Sequence, residues 1–175
     1  MTEIYLIHYC HPKCIPLYSI TELPQEEAFK LAETFGKNSE TAFGRFKHFY
    51  DYYPNRIKTE EYLYNWFIEN KGEPKTKHPL YFVIGGSEYL FNWFDKGIII
   101  KLPLSIIKER HISFTIGDSC AKFRKDNFLN PILKNDLYKI INEQNGDIDI
   151  ILRRHDTKYI ECQLWNNKYL ENILK

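Results

Sequence analysis

Apolar and polar positions recur along the chain with periods that mark out most of its elements. Residues 4–9 (Ile-Tyr-Leu-Ile-His-Tyr) are β-branched and aromatic, and Pro12 and Pro16, which have no amide hydrogen to give a ladder, predict a first strand ending near Cys10. Ala28, Leu31, Ala32 and Phe35 return at helical spacing. Pro24, Glu26 and Glu27 suit the start of that helix and Gly36 its end. A second helix is predicted with Thr59 as cap, Glu60 and Glu61 in its first turn, Leu63, Trp66 and Phe67 on one face, and Gly72 and Pro74 as stops. Between the two helices, residues 41–56 crowd Phe, Tyr and basic side chains together and decide for neither period.

The second half alternates faster. Residues 80–84 predict a strand, Gly85 and Gly86 a turn, Ser87 the cap of a short helix running through Phe94, and Gly97 its release. Strands are predicted at 98–102 and 111–116, a helix at 136–144 carrying Leu137, Ile140 and Ile141 and ending near Gly146, and a last strand at 159–165. Residues 147–155 fit helix and strand equally. Short strands interleaved with short helices leave too few residues for complete parallel crossovers. The expected fold is one compact α+β domain over residues 1–175, its central sheet mainly antiparallel or mixed, with no repeat, low-complexity tract or linker to divide it.

Composition narrows the setting. With 43% hydrophobic and 16% aromatic residues in 175, the chain has ample material for a core. A formal charge of +1 supplies no global field toward nucleic acid or anionic lipid, so any polyanion site must be local. No apolar stretch approaches the roughly 18 residues of a membrane span, and the N-terminal residues lack the pattern of a secretory signal. Cys10, Cys14, Cys120 and Cys162 have no paired spacing and read as reduced thiols. The expectation is a cytoplasmic protein without a membrane partner.

Three groupings could carry chemistry. His8, Cys10, His11 and Cys14 fall within seven residues, but zinc would want a second pair and Cys120 and Cys162 stand alone. Buried thiols beside a hydrogen-bonded histidine are the plainer reading, and no metal is expected. Asp147 and Asp149 precede Glu161 and Gln163 as the carboxylates of a metal-dependent nuclease would on neighbouring strands, with Gln163 where that pattern has lysine. The run 45–56 has the composition of a surface that stacks bases and contacts phosphates, or of core aromatics with solvated basic neighbours.

The segment from His78 onward is more informative as a whole. It reads His-Pro-Leu-Tyr-Phe-Val-Ile-Gly-Gly-Ser-Glu-Tyr-Leu, then Ile-Ile-Ile-Lys-Leu-Pro-Leu-Ser-Ile-Ile, then Ile-Ser-Phe-Thr-Ile-Gly-Asp-Ser-Cys-Ala, and closes with Tyr-Ile-Glu161-Cys-Gln-Leu-Trp. Over residues 78–165 this resembles the DarT-like ADP-ribosyltransferases, toxins that modify DNA bases using NAD. In that family a Pro-Phe-Tyr-Phe strand leads into a Ser-capped helix, a Thr-Asp-Gly-Asn-Ala turn follows, and a late strand carries the catalytic glutamate within Ala-Glu-Phe-Leu. The turn at 115–121 departs from that order, and Gly85-Gly86 stands where an arginine is common.

The resemblance implies an ADP-ribosyltransferase-like fold, NAD as substrate, Glu161 as catalytic carboxylate, and His8 where the family has a histidine touching the NAD ribose. Ser87 and Thr115 fall in the matching helix cap and turn. Tyr9, Tyr81 and Tyr89 are the aromatic candidates for the nicotinamide, and Arg45 or Arg56 for the pyrophosphate. It also implies a nucleic acid or protein acceptor, a toxin or phage-defence setting, and room for an antitoxin.

The chemistry makes sense of these residue types by itself. Cleaving the glycosidic bond of NAD passes through an oxocarbenium-like state, which a carboxylate beside the ribose stabilises. Glu161 on an apolar, aromatic strand is held firmly and open to pKa tuning. The competing expectations are plain ones. Alternation sets Tyr159, Glu161, Gln163 and Trp165 on one face of the strand, and on an edge strand that face meets solvent. His8 reads equally as a satisfied structural histidine, and Thr115, Asp118 and Ser119 as a polar turn. A non-catalytic interaction module completes the alternatives.

Overall fold

The β-branched and aromatic runs pair into a six-stranded sheet in the computed structural model, which describes residues 3–36, 42–171 and 173. The strands are β1 (Tyr5–Cys10), β2 (Leu80–Ile84), β3 (Ile98–Pro103), β4 (Ile112–Ile116), β5 (Ile132–Leu133) and β6 (Ile160–Leu164). Their order is β3-β1-β2-β6-β4-β5, and every pairing is antiparallel. The α+β class and the antiparallel sheet are therefore as the sequence predicts.

Period-two alternation gives the sheet two chemically distinct faces. One carries Leu6, Phe82, Leu102, Ile112, Phe114, Ile160, Cys162 and Leu164 into the main core, covered by Leu137 and Ile141 of α5 (Lys134–Glu143) and Ile151 of α6 (Ile148–Arg154). On the other side, Trp165 joins Leu63 and Phe67 of α2 (Phe49–Glu69) in a smaller cluster. A third cluster packs α1 (Gln25–Gly36) against the 3-10 helix Ala42–His48 and the start of α2. Asn55 of α2 reaches α4 (Ser119–Asp126), its Nδ2 3.0 Å from both the carbonyl oxygen and the Sγ of Cys120. The Ser87-capped helix is α3 (Glu88–Trp93), Ser87 Oγ accepting from Leu90 N at 3.3 Å. Among the described residues no helix is long and apolar enough to cross a membrane.

Three expectations need correction, and one stretch left open is decided. The second helix starts at Phe49, ten residues ahead of the expected cap; Thr59 lies inside it, with Oγ1 donating to the Asn55 carbonyl at 2.7 Å. Pro54 looks like a stop, and a mid-helix proline costs about 3 kcal/mol. Phe49 and Tyr53, however, pack edge-on or tilted around Phe29 of α1 at 4.9 and 5.5 Å. Burying aromatics contributes about 1.5–3 kcal/mol each, enough to offset the proline. Residues 147–155 resolve as helix, Asp147 Oδ1 accepting from the Asp149 amide at 2.9 Å. The supposed polar turn at 118–119 opens α4, and β6 lies inside the sheet rather than at its edge. Thr41, at the head of the undecided stretch, falls outside the described residues.

Most of the aromatics of 45–56 are core. Phe46, Phe49 and Tyr53 are buried, while Lys47, His48 and Tyr50, the last 80% exposed, face solvent.

Candidate active site

Glu161 is the second residue of β6, opposite Val83 of β2 on one side and Thr115 of β4 on the other. Strands on both flanks and helices over its face leave it 6% exposed. Its Oε1 accepts from Ser119 Oγ, the first residue of α4, and from Gln163 Nε2 at 2.9 Å. Gln163 Nε2 also donates to Thr115 Oγ1 at 3.2 Å. Ser119 is held there because Asp118 caps α4, Oδ1 accepting from the Ala121 amide at 2.8 Å. The second Asp118 oxygen accepts from the Tyr159 hydroxyl at 3.1 Å. Burial, with the Asp118 charge adding to it, pushes the Glu161 carboxyl up to about 7 against the opposing pull of Arg56, Ser119 and Gln163.

Arg56 of α2 enters the same region. Its Nε lies 2.9 Å from Glu60 Oε1 one turn on, and its guanidinium sits 3.7 Å from the Tyr81 ring centroid. The Tyr81 hydroxyl donates to the same Glu60 oxygen at 3.2 Å, and His78 Nδ1 is 2.7 Å from the other. Burial works against the charge on Arg56, but the oxygens of Tyr81 and Tyr52 and the carboxylates of Glu60 and Glu161 hold its pKa above the ordinary value. Burial raises Tyr81 as well.

Of these groups, Glu161, Asp118, Tyr159, Arg56, Tyr81 and Tyr52 line a cavity of about 780 Å³, inside the range of roughly 300–1,000 Å³ common for ligand sites. Of the residues singled out from sequence, Glu161, His8, Tyr9, Tyr81, Tyr89, Arg45 and Arg56 all reach its wall, and Ser87 and Thr115 do not. Thr115 is buried against Gln163, and the Ser87 hydroxyl donates to the Lys158 carbonyl at 3.2 Å.

The wall residues differ in what they offer. His8 Nδ1 donates to the Tyr81 carbonyl at 2.9 Å and Nε2 accepts from the Leu17 amide at 3.2 Å. Burial lowers its pKa, so it is a neutral ring with both nitrogens engaged, and it gives a ligand contact area rather than a hydrogen bond. The Tyr9 hydroxyl accepts from the Ser87 amide at 2.8 Å. Tyr89, half exposed, stacks on Trp93 with centroids 6.2 Å apart and planes 12° from parallel. Arg45 lies over Phe46, Tyr52 and Phe94 at 5.3, 5.7 and 5.8 Å. Its Nε is buried with no hydrogen-bond partner, and among the described residues it has no ion pair.

The other two groupings come apart. The Cys10 thiol donates to the carbonyls of His11 and Cys14, both at 3.5 Å, and burial with the neighbouring Cys14 pushes it up to about 11. The His11 ring packs on Phe43 at 4.3 Å. Among the described residues no three His, Cys, Asp or Glu side chains group as a metal would need. Asp149 is exposed on α6, off the strand next to β6 and outside the cavity wall.

Sequence reasoning passed over Ser119 as a donor to Glu161, Asp118 and Tyr159 as the pair behind it, and Glu60 as the anchor of Arg56. An Asp-Ser pair ahead of Cys120, Ala121 and Phe123 is a helix-start signal that would have located the first two. Glu60 carried only its i, i+4 spacing from Arg56, which counts once the helix is known to reach back past residue 56, while His78 and Tyr81 are brought to it by the folded chain alone. No family model, curated protein or solved structure matches this chain.

Proposed function

We propose that the chain is an NAD-dependent ADP-ribosyltransferase with Glu161 as its catalytic carboxylate. One observation carries the reading: a carboxylate held in mid-sheet by two donors on Oε1, at the wall of a cavity that also holds several aromatic faces and an arginine with no ion pair among the described residues. Each is a part that NAD cleavage requires.

In the reaction the bond from ribose C1′ to the nicotinamide nitrogen breaks, and its electron pair leaves with nicotinamide, which becomes neutral. The Glu161 carboxylate hydrogen-bonds a ribose hydroxyl and stabilises the positive charge growing on the sugar. An acceptor lone pair then bonds to C1′ and the acceptor sheds its proton. Arg45 is the cation for the pyrophosphate, because Arg56 is committed to Glu60 and Tyr81. Tyr89 with Trp93, and Tyr81, supply ring faces. His8 forms wall. The acceptor is a nucleic acid or a protein, in a toxin or phage-defence setting.

Nicotinamide release from NAD, followed by chromatography with chelator present, tests the reading. Wild type should release it, and Glu161→Gln, which keeps the shape and removes the charge, should lower the rate by about a hundredfold or more. Cleavage that survives this change sinks the assignment of Glu161. Activity only with added divalent metal would favour the nuclease alternative, and neither NAD binding nor cleavage would favour an interaction module.

A further inference from the structure

Glu161 belongs to a line of hydrogen bonds whose direction is set at its far end. The Trp165 Nε1 hydrogen goes to Ser113 Oγ at 2.9 Å. An indole N–H can only donate, so Ser113 accepts there, and it gives its own hydrogen to Gln163 Oε1 at 3.0 Å. That bond, together with the carboxylate that meets the other end of the amide, sets which end of Gln163 is oxygen. Its two N–H groups are left to face Thr115 Oγ1 at 3.2 Å and Glu161 Oε1 at 2.9 Å. Trp165, Ser113, Thr115 and Gln163 are all buried, so water does not compete for these groups.

We infer that Trp165, Ser113 and Gln163 are positioning residues that orient the Glu161 carboxyl, fixing Oε1 as an acceptor and leaving Oε2 as the oxygen that carries a proton or meets a ligand hydroxyl. With the Gln163 and Ser119 hydrogens both on Oε1, a proton placed there would face two donors, whereas among the described residues no donor reaches Oε2. The group that sets the orientation, Trp165, thus lies four positions along the chain from Glu161, which uses it. The assignment of Oε2 to a ribose hydroxyl rests on the proposed NAD chemistry; the orientation itself does not.

The charged and titratable groups facing Glu161 are Asp118 ahead of α4, Arg56 of α2, Tyr81 of β2 and Tyr159 beside β6. None is touched by a change at Ser113. Ser113→Ala removes the hydrogen that holds the Gln163 oxygen, so the amide is free to turn that oxygen toward Glu161. A carboxylate facing a lone pair instead of an N–H favours its protonated form.

The experiment follows the side-chain carboxyl carbon of Glu161 by NMR in 13C-glutamate-labelled, ligand-free protein, the signal being assigned by its absence in Glu161→Gln. The titration midpoint should rise by about one pH unit in Ser113→Ala, the equivalent of one lost hydrogen bond. Ser113→Thr, which keeps the hydroxyl, should return it. Trp165→Phe, which keeps a ring for Phe67 to stack on, should move it the same way and serves if Ser113→Ala does not fold. Midpoints equal to wild type in the folded variants overturn the inference. This readout needs no catalysis, so it decides the orientation even if NAD is never cleaved. If NAD is cleaved, the rising limb of kcat/KM against pH should move with the NMR midpoint.

Discussion

Glu60 Oε1 and Arg56 Nε pair at 2.9 Å across one turn of α2, Glu60 fully buried and Arg56 largely so. Removing one partner strands a charge, so Glu60→Ala is expected to destabilise the protein by about 3–5 kcal/mol. The double change Arg56→Met with Glu60→Leu removes both charges and is expected to cost far less. Urea unfolding of the single and double variants measures the difference, and a double variant as weak as Glu60→Ala would mean that volume sets the cost.

Stability should also report the ionisation of Glu161. Its carboxyl in the folded state, up to about 7, lies above the model-compound value of 4.5, so the folded chain holds the proton more tightly than the unfolded one. That contribution is complete below the unfolded value and is lost as pH rises through about 7. Glu161→Gln, neutral throughout, is expected to exceed wild type in stability at about pH 8 by up to about 3 kcal/mol, with the advantage fading toward about pH 4.5. Parallel stability curves for the two proteins would contradict this. The kcat/KM for NAD should rise with pH through the same midpoint, because the carboxylate is the working form.

Arg45→Met keeps the apolar stem and removes the unpaired charge. ADP-ribose binding, read by calorimetry, should weaken by about 10- to 100-fold, the worth of hydrogen bonds to a charged group. Urea stability should fall by less than about 1 kcal/mol, because the charge removed is held by ring faces alone and its buried Nε makes no hydrogen bond. Unchanged ADP-ribose affinity would remove Arg45 from the anion site.

Gly97 sits where β3 begins, and a Cβ there would lie 2.3 Å from the Cys10 carbonyl and 2.7 Å from Pro12 Cδ. Backbone cannot give way as a side-chain tip can, so Gly97→Ala should cost about 1–3 kcal/mol. Hydrogen exchange should show the β1 and β3 amides opening first, since Cys10 pairs with Ile98 next to this contact. Protection that falls equally across all strands would argue against a local clash.

Five of the strands were legible because their signal is local, whereas β5, only two residues long, was not expected. Residues 4–9, 80–84, 98–102 and 111–116 each hold enough β-branched and aromatic side chains to declare a period, and each lies within a residue or so of its observed bounds. The start of α2 was not, because Pro54 is a local stop that only packing on Phe29 overrules. For the same reason Glu161 stood out as one carboxylate among apolar neighbours, while its partners did not. Ser119 comes to it from 42 residues away in sequence and Glu60 meets Tyr81 across 21, separations that no periodicity encodes. The edge-strand expectation failed because position in a sheet depends on which strands pair, and alternation along one strand is silent about that.

The interior place of β6 also bears on synthesis. Its neighbours β2 and β4 are both made earlier, and they have no direct ladder to each other until β6 slots between them. A nascent chain that has not yet exposed residues 160–164 holds two half-sheets with bare inner edges, the kind of surface that chaperones cover. The last strand to arrive joins the halves and brings Glu161 with it, so the chain acquires its cavity-lining carboxyl and its closed sheet in one event.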